Sequence, residues 1–405
     1  MRLFISLIVP SSLMFSAEPY FPPPDSQGGW RTLKSASEIR NTAGLDSDRL
    51  DQAFRYAQMT SQHGGIVVVR HGYLVYEKYF GKAHRESHPD MASIGKAYAS
   101  IAVGIALAEK KAAIPEGLEQ RVLNATYLPE ALPLSDPRKA DIKLGHLLSM
   151  SSGMRESNSQ TFVHGVVVPT EAPPRLPQQD QDQAALKTPL WAAPGEGYTY
   201  SSQSTHVATI VLRHLVGMEL QQYLDEKLAK PMGYGVWGYA LHRNGATLPH
   251  TPGGGGIAVR ATDAVRFAYM LLHNGQWGKQ QLVPADYIAM CAKPSPYNPH
   301  TPFSLMFEVN QDGHVIGAPK DAFFKSGAGG SAIYVVPSLD LAIYKMSSSD
   351  AQLAPELTGL PITYPVNGSR DGWKPGPHTQ FHDGPIGGDD GVRRLLEMVV
   401  AAVVK

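Results

Sequence analysis

Two rhythms of apolar positions run along this chain. Leu50, Ala53, Phe54 and Ala57 recur at three- and four-residue intervals behind Asp46-Ser47, which predicts a helix capped by that pair. Gly64-Gly65 breaks the pattern. Ile66-Val67-Val68-Val69-Arg70 and Tyr73 to Tyr79 follow, rich in β-branched and aromatic residues, and His71-Gly72 between them predicts a tight hairpin. The helical period returns at Ile94, Ala97, Tyr98, Ile101, Ile105 and Ala108. Val103 and Leu107 add apolar bulk on other faces, so this helix is expected to be buried nearly all round.

Residues 109–300 read as mostly helix and loop. Asp141 to Met154 predicts a short helix ended by Gly153. Thr205 to Val216 and Leu220 to Leu228 are helical, and Thr262-Asp263 caps another helix. Strand patterns resume at Gly313 to Ile316, Ser331 to Val336 and Leu339 to Met346, and a terminal helix spans about Asp390 to Val404. Strands near both ends around a helical middle predict an α+β fold. One sheet is assembled from residues 46–110 and 301–405, with a mainly helical part, 111–300, inserted. Residues 18–45 read as an extended lead-in. Two stretches lose periodicity, 155–189 and 351–390. Loops of that length tend to be binding loops or lids, and 155–189 is expected to border the active site.

Composition narrows the classes. Lys+Arg and Asp+Glu both number 36 in 405 residues, so no basic field argues for nucleic acid or an anionic membrane. Cys291 is the only cysteine, which excludes an intramolecular disulfide and a cysteine-based zinc site. Residues 1–17 carry one basic residue, an apolar segment and then Ser16-Ala17. That pattern reads as a signal peptide and predicts a periplasmic or secreted protein with no membrane span after processing.

The chemistry centres on Ser93 and Lys96. They lie one turn apart at the start of the buried helix. A serine hydroxyl is a poor nucleophile until a base takes its proton, and an amine kept neutral by burial can do so. The helix start also aims free N–H groups at a developing oxyanion. A capping serine beside an unrelated lysine would give the same four letters. Two further short motifs stand out, Tyr200-Ser201-Ser202 after a Pro-Gly turn and Lys325-Ser326-Gly327 before a strand. Taken singly, they read as a half-buried aromatic and a hairpin glycine run. Pro252-Gly253-Gly254-Gly255-Gly256 lacks a following Gly-Lys-Ser/Thr, so it reads as a turn rather than a phosphate loop. His84-Arg85-Glu86-Ser87-His88 lacks the His-Glu-x-x-His spacing and reads as surface histidines. His146 is expected to be a core residue rather than a ligand. No Gly-x-Ser-x-Gly occurs.

In the order Ser-x-x-Lys, Tyr-x-Ser, Lys-Ser-Gly, the three motifs resemble the serine β-lactamase and penicillin-recognising superfamily. The likeness is to its class C-like branch, with its esterases and aminohexanoate-oligomer hydrolases, and covers most of residues 50–346. The resemblance implies a β-lactamase/transpeptidase-like fold, an antiparallel sheet flanked by N- and C-terminal helices. It also implies hydrolysis of a small-molecule ester or amide without metal or cofactor. Ser93 would be the nucleophile, and Lys96 and Tyr200 would share the proton. The N–H groups of Ser93 and Ala328, a strand residue, would form the oxyanion hole. Ser202, Lys325, Ser326 and Gly327 would border the substrate, with Lys325 either binding a carboxylate or helping to keep Tyr200 anionic. Tyr98-Ala99-Ser100 also matches Tyr-x-Ser, but Tyr98 points elsewhere from the same helix. Ser202 stands where β-lactamases of this type carry asparagine, and a hydroxyl cannot make the paired contact of an amide. That departure favours an esterase or oligomer-amide hydrolase over a β-lactamase or DD-peptidase. A non-catalytic acyl-binding sensor is the alternative of a different class.

Overall fold

The structure, a computed structural model, describes residues 19–155, 161–163, 166–167, 181–243, 246–353 and 391–404. The predicted leader at 1–17, most of the loop at 155–180 and the stretch 354–390 lie outside them. The elements used below are strands β1 (His63–Arg70), β2 (Tyr73–Phe80), β3 (Phe303–Ser304), β4 (Phe307–Val309), β5 (Phe323–Gly327), β6 (Ser331–Val336) and β7 (Leu341–Ser348). The helices are α1 (Ala36–Ala43), α2 (Ser47–Thr60), α3 (Gly95–Glu109), α4 (Gln181–Lys187), α5 (Ser202–Val216), α6 (Ala261–Leu272), α7 (Asp350–Leu353) and α8 (Arg393–Ala401).

The seven strands form one sheet in the order β3-β4-β5-β6-β7-β1-β2, every neighbouring pair antiparallel. The sheet is thus built from both ends of the chain, as the pattern predicted. His71 and Gly72 both have positive φ (52° and 72°), the backbone of a two-residue hairpin whose twist suits its strands. The run Ile66 to Val69 is apolar at every position because both faces of β1 are covered. Ile66 and Val68 pack with Leu50 and Ala57 of α2 and Leu396 of α8, while Val67 and Val69 face the core that contains α3 and α6.

Several elements differ from the pattern-based expectation. Residues 18–45 are not wholly extended. Ser35 and Glu38 form a capping box that opens α1, a Ser-x-x-Glu signature legible in the sequence. Buried Arg266 on α6 ties this lead-in down, donating to the carbonyls of Pro22 and Pro23 and to Asp25. Gly313 to Ile316 is not a strand. There Val315 N–H donates to the Asn310 side chain, and Asn310 Nδ2 returns to the Val315 carbonyl, so a side chain takes the place of a ladder. The helix predicted over Asp141 to Met154 is shorter, spanning Leu144–Leu148 before a turn with Met150 at φ 60°.

Nor are the histidines at 84 and 88 both on the surface. His88 is 5% exposed, in the loop that leads from β2 to Ser93. Burial, reinforced by the Arg260 charge, pushes its pKa down to about 4. A histidine depressed in the folded state is neutral there while the unfolded chain takes up its proton. Stability is therefore complete above the ordinary histidine pKa and is lost as pH falls from about 6.5 to about 4. Urea unfolding followed against pH is expected to show a loss on the order of 3 kcal/mol across that window from this residue. His88→Gln should flatten the slope, and an unchanged slope would contradict the assignment.

Candidate active site

The turn that carries Ser93 is held by backbone from two other segments of the chain. Met91 N–H donates to the Ile257 carbonyl (2.8 Å) and Asp90 N–H to the Gln352 carbonyl (2.8 Å). Gly256 N–H donates to the Ala92 carbonyl (3.2 Å), and Ala92 N–H donates to Asp90 Oδ1 (2.8 Å). Ala92 sits at φ 48°, a left-handed conformation that costs a non-glycine residue energy and persists because these bonds fix it on both sides. Ser93 does not cap α3 as expected. It lies inside a short 3-10 turn, Ala92–Ile94, that feeds the helix and makes no side-chain cap hydrogen bond. Its hydroxyl is left for Lys96.

Lys96 is fully buried, and its Nζ donates to Ser93 Oγ (2.9 Å) and to the Gly254 carbonyl (2.6 Å). The amine also lies 4.8 Å from the centre of the Tyr200 ring. Tyr200, 4% exposed, comes from the residues just before α5. Thr199 N–H donates to the Met150 carbonyl (3.0 Å), Ser201 caps α5 through Ser204 N–H, and Phe303 packs edge-on against the Tyr200 ring. Lys325, on β5 and 3% exposed, donates from Nζ to the Tyr200 phenol oxygen (3.0 Å), with its ammonium 4.9 Å from the ring centre. Two amines from distant parts of the chain thus flank one phenol. Tyr98 is placed elsewhere, stacked on Phe267 and bonded to Tyr234, as its position on α3 implied.

The end of β5 is pressed against the same turn. A Cβ on Gly327 would lie 2.0 Å from the Met91 carbonyl oxygen and 3.1 Å from the Ser93 nitrogen, so only glycine fits there. Ser326 precedes it, 4% exposed. Ala328 is not a strand residue. It begins the turn closed by Gly330 N–H donating to the Gly327 carbonyl (2.9 Å), and its own carbonyl accepts from Gln352 Nε2 (3.0 Å) on α7. Buried Lys345 donates to the Gly330 carbonyl (2.7 Å) and anchors the far side of that turn.

Beside Ser93 opens a cavity of about 380 Å³, walled by Ser202, Gln203 and His206 of α5, Gln181 and Ala184 of α4, Leu248, Asp90 and the loop Pro252 to Gly256. Of these, pattern reading selected only Ser93 and Ser202 as site residues. The glycine run was read as a bare turn, yet it delivers the carbonyl that orients Lys96. The signal was its length. A Cβ on Gly255 would stand 2.6 Å from the Ala92 carbonyl oxygen and one on Gly254 2.8 Å from Ser202 Cβ, so the loop leaves no room for a side chain at successive positions. His146 is a packed residue whose Nδ1 accepts from Lys143 N–H, and burial pushes its pKa down to about 4. Among the described residues no group of three or more His, Cys, Asp or Glu is placed to hold a metal ion.

A Ser93 turn packed so closely that no Cβ fits at Gly327 makes a sharp prediction. Gly327→Ala is expected to push β5 off the turn and to slow labelling of Ser93 by a fluorophosphonate about a hundredfold, as misplacement by an ångström can do. Labelling at the native rate would contradict the packing described.

Solved structures with the same fold include a family VIII carboxylesterase at 18% identity. It covers 92% of this chain and 98% of its own, with a TM-score of 0.59. A penicillin-binding protein homologue from Caulobacter crescentus matches at 16% identity, 88% and 98% coverage and a TM-score of 0.56. A class C β-lactamase matches at 14%, 80% and 95%, with a TM-score of 0.54. At such identities the likeness is one of fold. No curated protein sequence matches. The family model described as Beta-lactamase matches residues 51–360, a span that holds the Ser93 turn, the Tyr200 segment and β5, and the chain belongs to that family.

Proposed function

We propose that the protein is a serine hydrolase that cleaves a small carboxylic ester or amide through an acyl-enzyme on Ser93. The observation that carries this reading is the hydrogen bond from a fully buried Lys96 amine to the Ser93 hydroxyl, with Tyr200 held against the same amine. Lys96 and Tyr200 share the transfer of the Ser93 proton to the leaving group. Lys325 donates to the phenol oxygen, so charge that develops there as a proton departs is met by a cation.

Ser93 Oγ attacks the substrate carbonyl. The tetrahedral oxyanion is received by the backbone N–H groups of Ser93 and Ala328, donors that are typically worth about 3–4 kcal/mol each. Collapse expels the alcohol or amine with the relayed proton, and water then attacks the acyl-enzyme with the same groups acting as base. An ester or linear amide is favoured over a β-lactam because Ser202, in the cavity wall, offers a single hydroxyl oxygen where a side-chain amide would present a donor and an acceptor on separate atoms.

Turnover of p-nitrophenyl acetate by the native protein and Ser93→Ala tests the proposal. The variant is expected to lose at least about a thousandfold in kcat, the scale of removing a nucleophile, and nitrocefin should be a much poorer substrate than the ester. Retention of ester turnover by Ser93→Ala would end the reading. Nitrocefin hydrolysis faster than ester hydrolysis would move it to the β-lactamases.

A further inference from the structure

His206 lies on α5 one turn beyond Ser202, is 5% exposed and forms part of the wall of the cavity beside Ser93. Its ring bridges two separate segments. Gly253 N–H donates to Nδ1 (3.2 Å), and Nε2 lies 2.9 Å from Asp182 Oδ1 on α4. The first bond fixes the tautomer: Nδ1 must accept, so Nε2 carries the hydrogen and donates to Asp182. Burial raises the Asp182 pKa, but the bonds from His206 and Arg213 outweigh it and hold that carboxyl well below the usual carboxylate range. The next residue in the loop is Gly254, whose carbonyl receives Lys96 Nζ. On its other side the loop is braced by Thr209, since a Cβ on Gly253 would stand 2.5 Å from the Thr209 hydroxyl.

We propose that His206 is a positioning residue for the Ser93–Lys96 pair. Its unprotonated Nδ1 holds Gly253, and through Gly253 it keeps the Gly254 carbonyl on the Lys96 amine. The inference rests on the serine hydrolase reading for its kinetic consequence, though not for its geometry. Uptake of a second proton would set N–H against N–H at Gly253, release the loop and loosen Lys96. The charged and titratable groups around this histidine are Asp182 on α4, Arg213 on its own helix, and His250. Nε2 of His250 is 3.7 Å from Asp182, and its Nδ1 is bonded to Glu219 (2.8 Å). Asp90 borders the same cavity, and Lys96 lies behind Gly254.

The test compares native protein with His206→Phe, which keeps a ring but no acceptor, and His206→Gln, which keeps an acceptor that cannot be protonated. For p-nitrophenyl acetate, His206→Phe is expected to lose up to about a hundredfold in kcat with KM little changed, and Ser93 labelling by a fluorophosphonate should slow in proportion. His206→Gln should fall between the two in kcat and remain active to lower pH than the native protein relative to its own maximum. A folded His206→Phe protein with native kcat and labelling overturns the proposal. If His206→Phe does not fold, the His206→Gln profile decides, and an acid limb identical to the native one overturns it. Should native Ser93 resist labelling altogether, the hydrolase reading fails first. Nitrogen NMR of the imidazole then judges the inference alone: an Nε2–H tautomer supports it, and an Nδ1–H tautomer overturns it.

Discussion

An amine sealed from water must find hydrogen-bond acceptors inside the protein, and much of this fold is arranged to supply them to Lys96. Lys96 has no exposed surface, and two of its acceptors are Ser93 Oγ and the Gly254 carbonyl. The first lies one turn earlier on the same stretch of chain. The second is 158 residues away in sequence and reaches the amine only because Gly253, Gly254 and Gly255 let their loop approach without Cβ atoms. Replacing the buried amine by a hydrocarbon would serve packing better. Its retention behind the wall of a cavity, against the Ser93 hydroxyl that borders it, fits the proposed chemistry.

The sheet and helices make that arrangement rigid. β1 and β7 are interior strands, covered on one face by α2 and α8 and on the other by α3 and α6, so the start of α3 is fixed to buried strands. β5 then carries Lys325 and Gly327 along the side of the nucleophile turn. The Met150 to Gly153 turn and the cap of α5 hold Tyr200 from the opposite side. Three segments far apart in the chain converge by ordinary secondary-structure geometry. The local irregularities, the left-handed Ala92 and the glycine contacts, cluster where they meet.

Much of this was legible in the sequence, for identifiable reasons. Period-two and period-3.6 patterns report burial, and β1, β2, α2 and α3 obey them because their neighbours are elements with apolar faces. Ser93 and Lys96 stood out by their one-turn spacing at the start of a buried helix, whereas Tyr200 and Lys325 were singled out only through the resemblance that the three ordered motifs carry. What the pattern could not carry was any role played by backbone. The Gly254 carbonyl, the Ala328 turn and the carbonyl clamp from Gln352 depend on which peptide units meet, and side-chain identity reports that only through glycine. α1 was passed over although its capping box was readable, because proline and glycine around it dominated the composition. Gly313 to Ile316 looked like a strand because β-branched Val315 and Ile316 lie side by side, but Asn310 already satisfies the backbone there.

The most direct test of the central claim is a crystal structure of the protein after reaction with a methylphosphonate ester, which mimics the tetrahedral intermediate. The account predicts phosphorus bonded to Ser93 Oγ, one phosphonyl oxygen within hydrogen-bond distance of the backbone nitrogens of both Ser93 and Ala328, and Lys96 Nζ still on the Gly254 carbonyl. An adduct on another residue, or a phosphonyl oxygen turned away from both nitrogens, would contradict it.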